Sequence, residues 1–160
     1  MIMVFRLLHA PAKRVMSTPH KRETSAMSLI STYTTAFRLA SFVTVANVLV
    51  ATGFSVAGLV RPESILPIDS PPTGASSIFA MYAAARTIPL AVAILVVIYR
   101  RWTEALIALG VLAGVIQLSD SLVGLYQQDI GKTVGPLVIG GVQLWASFIL
   151  LASWRKEGRE

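Results

Sequence analysis

Two ionisable residues stand inside the most apolar stretches of the chain: Arg86 in Ile78–Tyr99 and Asp120 in Glu104–Tyr126. Placing a charge at the centre of a membrane helix costs roughly 2.5–3.5 kcal/mol on insertion scales, so such residues face partners or carry function. The two are of opposite sign, and the stretches that hold them are joined only by Arg100-Arg101-Trp102-Thr103. Antiparallel helices with so short a connection should be neighbours, and an Arg86–Asp120 ion pair is the cheapest way to keep both charges.

Counting residues from the helix ends opposite that turn places Arg86 ~12 Å down and Asp120 ~9 Å down, at 1.5 Å per residue. By the same count Gln143 lies at ~10 Å, Gln117 at ~14 Å and Ser55 at ~8 Å, with Tyr82 one turn above Arg86. The expected constellation is therefore Arg86, Asp120, Gln117, Tyr82, Gln143 and Ser55, in the outer half of the bundle. Asn47 counts deeper and is set apart from it. The constellation can be a structural register lock, or a site for a small anionic or polar ligand or a proton.

The elements that position these residues follow from composition. The chain has 160 residues, 54% hydrophobic and 14% charged, where soluble domains carry about a quarter charged. Its mean hydropathy is +0.67, and the apolar residues fall in long runs, which points to membrane helices. Four are expected, over residues 36–60, 78–99, 104–126 and 136–154, giving an all-α polytopic four-helix bundle. The first has a small and polar stripe, Thr44, Asn47, Ala51, Ser55 and Gly58, that marks its packed side. The third has Gly110, Gly114, Gln117, Ser121 and Gly124 on one side, opposite Val111, Val115, Leu118, Leu122 and Leu125. Pro89 frees the Ala85 carbonyl in the second helix, and Arg86 is one donor able to reach it. Pro136 is read as a first-turn residue of the fourth, where its missing amide hydrogen does no harm.

Residues 1–35 carry Arg6, Lys13, Arg14, Lys21 and Arg22 against Glu23 alone, with Pro11 and Pro19 as helix breakers. Three readings stay open: a disordered cytoplasmic tail, a start at Met16 or Met27, and an organellar transit peptide. Glu63–Ser77 holds Pro67, Pro71, Pro72 and Gly74 and reads as a loop, its Ile65, Leu66 and Ile68 suited to the membrane surface. Residues 155–160 form a short charged tail.

The net charge of +6 raises the possibility of nucleic acid, but the basic residues are distributed by side rather than gathered with aromatics on a soluble face. Four spans put Arg6, Lys13, Arg14, Lys21, Arg22, Arg38, Arg100, Arg101, Arg155, Lys156 and Arg159 on one side, with Arg61 and Lys132 on the other. Eleven against two is a positive-inside bias that makes both termini cytoplasmic, and six against two remain without residues 1–26. There is no cysteine, which excludes disulfides and thiol chemistry. His9 and His20 lie in the tail, so no metal or haem site is expected in the membrane, and no cofactor is expected. No catalytic triad, phosphate loop or dinucleotide fingerprint occurs, so no catalytic residue is assigned.

Arg61-Pro62, Tyr82-Ala-Ala-Ala-Arg86 followed by Pro89-Leu-Ala-Val, and Gln117-Leu-Ser-Asp120 resemble the small bacterial and fungal four-helix membrane families of unknown function, distantly DoxX-like in architecture. The resemblance covers residues 36–154 and implies a four-helix membrane bundle, without an activity or site residues. The partners expected are the lipid bilayer and a second copy or another membrane protein, in a bacterial inner membrane.

Three functions remain open at this point: an interaction or accessory component, a carrier or sensor at Arg86 and Asp120, and a membrane enzyme acting on a lipid or quinone. The charge distribution yields a direct expectation. A reporter fused within residues 63–77 should signal from the non-cytoplasmic side, and a cytoplasmic signal there would overturn the topology.

Overall fold

The computed structural model describes residues 19–64, 66 and 70–158, with side chains from residue 30 onward except at 64. Four helices follow one another: α1 Pro19–Val60, α2 Gly74–Tyr99, α3 Thr103–Tyr126 and α4 Ile130–Glu157, with a single 3-10 turn at Pro62–Ser64. All four are long and apolar enough to cross a membrane, α1 through its Ile30–Val60 portion. The architecture is all-helical.

Three helices are longer than expected, and in α2 and α4 the extension has a local cause. α1 begins at Pro19 rather than near Ala36. Residues 19–35, expected to lie outside any helix, belong to α1, and Pro19 is its first described residue. Within this extension Tyr33 is half-buried and shares a 2.6 Å hydrogen bond with Thr103 Oγ1. The residues before Pro19, with Pro11, His9 and Met16, lie outside the described residues.

α2 starts four residues early because Thr73 and Ser76 form a reciprocal capping box. The Thr73 hydroxyl accepts from the Ser76 amide at 3.2 Å, and the Ser76 hydroxyl accepts from the Thr73 amide at 2.9 Å. α4 starts at Ile130, not Pro136. Its N-cap is Asp129, whose carboxylate accepts the Lys132 amide at 3.1 Å and pairs with Lys132 Nζ at 3.4 Å. The Lys132 amide bond, foremost, holds the Asp129 carboxyl below its ordinary range. Lys132 Nζ also donates to the Leu66 carbonyl at 2.9 Å, tying the α1–α2 loop to the start of α4.

The two tight turns are built alike. After α2 the Trp102 amide donates to Val97 and the Arg101 amide to Ile98; after α3 the Asp129 amide donates to Gly124 and the Gln128 amide to Leu125. This six-to-one and five-to-two pattern closes the last helical turn on itself, and it needs a left-handed residue just past the end. Arg101 at φ 54° and Gln128 at φ 57° occupy those positions, although glycine would suit both better.

Packing is uneven. α3 lies along α4 over its length, and α1 packs on both α4 and α2. α2 and α3, neighbours in sequence, meet only sparsely. At the end of the bundle that holds the α2–α3 turn, Ala36, Ala40, Val97, Leu106 and Leu150 gather residues from all four helices into one apolar cluster. The α3–α4 seam is set by missing side chains. A Cβ on Gly140 would lie 3.0 Å from the Gly114 carbonyl, and one on Gly114 would lie 2.7 Å from Leu144 Cγ.

Gly124 shows the tightest approach, since a Cβ there would run into the carbonyl of Lys132 and the amide of Thr133. The Lys132 carbonyl is the one that Pro136, four residues on, cannot serve as a donor. Gly124→Ala must therefore displace backbone and should lower stability by about 1–3 kcal/mol. Gly53→Ala, with nothing within 4 Å, should leave stability unchanged or raise it by up to ~1 kcal/mol through helix propensity. Thermal unfolding of both variants in one detergent checks the contrast.

Candidate functional site

The expected polar constellation divides into two. Its amides enter a buried network; its charged and phenolic members do not. Gln117 Nε2 on α3 donates to Asn47 Oδ1 on α1, and Asn47 Nδ2 donates to Gln143 Oε1 on α4 at 3.4 Å. Gln143 Nε2 in turn donates to Thr44 Oγ1 at 3.0 Å and to Ser147 Oγ at 3.4 Å. The two hydroxyls pass their own protons to helix carbonyls, Thr44 to Ala40 at 2.7 Å and Ser147 to Gln143 at 2.9 Å. All five residues are buried, Gln143 at 0% exposure. Hydrogen-bond donation thus passes from α3 to α1, from α1 to α4, and from α4 back to Thr44 on α1.

The network contains no titratable group, and the side chains of Asn47 and Gln143 that link the three helices are each bonded in both directions. Buried polar groups satisfied in this way specify helix register and orientation. α2 contributes nothing to it. The helices joined by polar bonds are α1, α3 and α4, and α2 is laid against α1 through Ala80 and Ala84.

Asn47 belongs to the site after all. The expected depths were counted from an α4 that began at Pro136; from Ile130, Gln143 lies thirteen residues in, as Asn47 does from Val60. Both are then ~20 Å from the loop end of the bundle. The small and polar stripe on α1 already carried Thr44 and Asn47, so the signal was present in the sequence and the helix boundary obscured it.

Arg86 and Asp120 form no ion pair with each other. Among the described residues no charged side chain is buried, and the one ion pair joins Asp129 and Lys132. Tyr82 is 58% exposed, and Ser55 is half-buried without a bond to the network. The physical reason is the divergence of α2 from α3: beyond the apolar cluster at their turn, too few contacts hold the pair together for side chains to meet.

Helical spacing nevertheless aims the two charges at the same gap. Arg86, Leu90, Ala93 and Val97 share one side of α2, and Val97 is buried in the cluster shared with α3. Leu109, Ala113, Ile116 and Asp120 share one side of α3, where Leu109 packs on that cluster and Ala113 is buried. The stripes start together at the turn, and each carries an exposed charge farther along, Arg86 on α2 and Asp120 on α3.

Compared with known protein families, curated proteins and solved structures, the chain matches none.

Two other features bear on chemistry. Among the described residues no group of three or more His, Cys, Asp or Glu is placed to hold a metal. Surface hollows lie at Leu125, Gln128, Ile130, Thr133 and Val134, and at Ser31, Thr35, Leu39 and Ile149, and neither is lined by Arg86 or Asp120.

The network makes a quantitative expectation. Gln143→Leu removes the acceptor for Asn47 and the donor for Thr44 while keeping similar bulk, leaving buried groups unpaired at about 1–3 kcal/mol. Ser55→Ala should lose less than ~0.5 kcal/mol, since no bond is broken. Unfolding midpoints in detergent, compared with the parent chain, test this ordering.

Proposed function

We infer that this chain is a multi-pass protein of a bacterial inner membrane, with both termini cytoplasmic, that acts as an interaction or accessory component through its α2–α3 face. One observation carries the reading: Arg86 and Asp120, of opposite charge, remain exposed on α2 and α3 and form no ion pair with each other. Charges at that level of an apolar helix are costly against lipid, and a partner segment that meets both relieves the cost. The buried network supports the same division of labour, with α1, α3 and α4 as a rigid frame and α2 as its less tightly held flank. A distant kinship with DoxX-like four-helix proteins is part of this proposal and adds no activity to it.

Site-specific photo-crosslinking in native membranes tests the reading. A photoreactive residue at Ile116, 41% exposed one turn from Asp120, should yield protein adducts. The same group at Phe42, 74% exposed on α1, should yield lipid adducts in the main. Lipid adducts alone from both positions would sink the proposal. Adducts with a different protein would sustain it while leaving the identity of that partner to be read from the adduct itself.

A further inference from the structure

We propose that the partner at the α2–α3 face is a second copy of this chain, in a two-fold dimer that pairs Arg86 of each copy with Asp120 of the other. The proposal rests on the reading above and names its partner.

Geometry supports a copy in particular. Two molecules inserted by the same route share one orientation, so their symmetry axis runs along the membrane normal and every residue keeps its depth. Such an axis beside the α2–α3 face sets α2 of each copy against α3 of the other. Counted from their common turn, Arg86 lies thirteen residues before Tyr99 and Asp120 seventeen after Thr103. The difference is about one helical turn, ~6 Å, and the long arginine stem reaches along the helix to close it.

Charge bookkeeping favours the copy over a foreign helix. The face carries one cation and one anion, so a self-complementary contact neutralises both at once in two equivalent pairs. A different partner must bring two opposite charges at those same two levels. Closure within one chain is disfavoured by the fold, because α2 packs mainly on α1 and the two charged side chains form no ion pair. The rest of the face suits helix association: Ala85 and Ala93 are small and exposed, and Leu112 and Ile116 are exposed apolar groups around the charges.

Charge reversal separates the alternatives. The parent chain, carried with two different epitope tags in one cell, should co-purify with itself from mild detergent. Arg86→Asp alone sets Asp against Asp120 in both pairs and should lose that co-purification; Asp120→Arg alone sets Arg against Arg86 and should lose it too. Co-expressed, the two variants form a mixed dimer with one wholly acidic and one wholly basic face, and co-purification should return. A charge pair inside one chain cannot be rescued in this way. Self-association that is absent from the parent chain, or unaltered by both reversals, or restored only when both changes are in one chain, overturns the dimer.

The absence of cysteine provides a second measurement that leaves the charges intact. Leu90→Cys and Ile116→Cys each sit one turn nearer the shared turn than the charged residues, on the same stripes. Mild oxidation of cells holding both single variants should give a disulfide-linked dimer that joins one chain of each kind. A bridge formed only within a chain carrying both substitutions, or no bridge at all, overturns the proposal. Photo-adducts with a foreign protein at Ile116 would then keep the association reading while removing the copy as its partner.

Discussion

Amide side chains buried in an apolar bundle must find one another, and the architecture depends on that requirement. Asn47, Gln117 and Gln143 come from three different helices, and each lies in surroundings that offer no water. An unpaired amide there costs about 1–3 kcal/mol, so the helices are held where a chain of donors and acceptors closes. Any axial slip of α1 against α4 separates Asn47 from Gln143 and Thr44 from Gln143 together. The polar bonds thus select a register that greasy surfaces alone, being non-directional, would leave loose.

Close packing makes those bonds reachable. Short amide side chains span a helix interface only where the backbones approach, and Gly110, Gly114 and Gly140 remove the side chains that would hold α3 from α4. At Gly110 a Cβ would stand 2.5 Å from Ser147 Oγ and 3.0 Å from Gln143 Nε2, so the same missing atom admits the network itself. At the turn after α3, Gly124 against the Lys132 carbonyl performs the equivalent service for the backbone. Sequence neighbours joined by such a turn are held along their length, whereas α2 and α3, joined by an equally tight turn, have no glycine seam and part.

That asymmetry carries the functional argument. A hairpin of α2 and α3 closed on an internal ion pair would present a finished, neutral surface. An open one presents two opposite charges, on an α2 that packs mainly on α1. The amide network of α1, α3 and α4 is closed on itself, whereas the α2–α3 face carries two exposed opposite charges with no ion-pair partner. Association is the reading that meets it.

The count and order of the helices were determined by the sequence alone, because length, apolar runs and breakers act locally. So were the packed sides of α1 and α3, since small and polar residues recur at helical spacing on them. Local capping chemistry was also written there, in Thr73 with Ser76 and in Asp129, but Pro136 suited either the first turn of a helix or a place farther in, and only the structure separated the two. Tertiary structure decided which polar residues meet. Arg86 and Asp120, judged partners from sign, depth and a short connection, are separated because a short turn constrains only the ends of two helices. Gln117, Asn47 and Gln143, far apart in sequence, are joined because close approach along two interfaces brings their helices into one register.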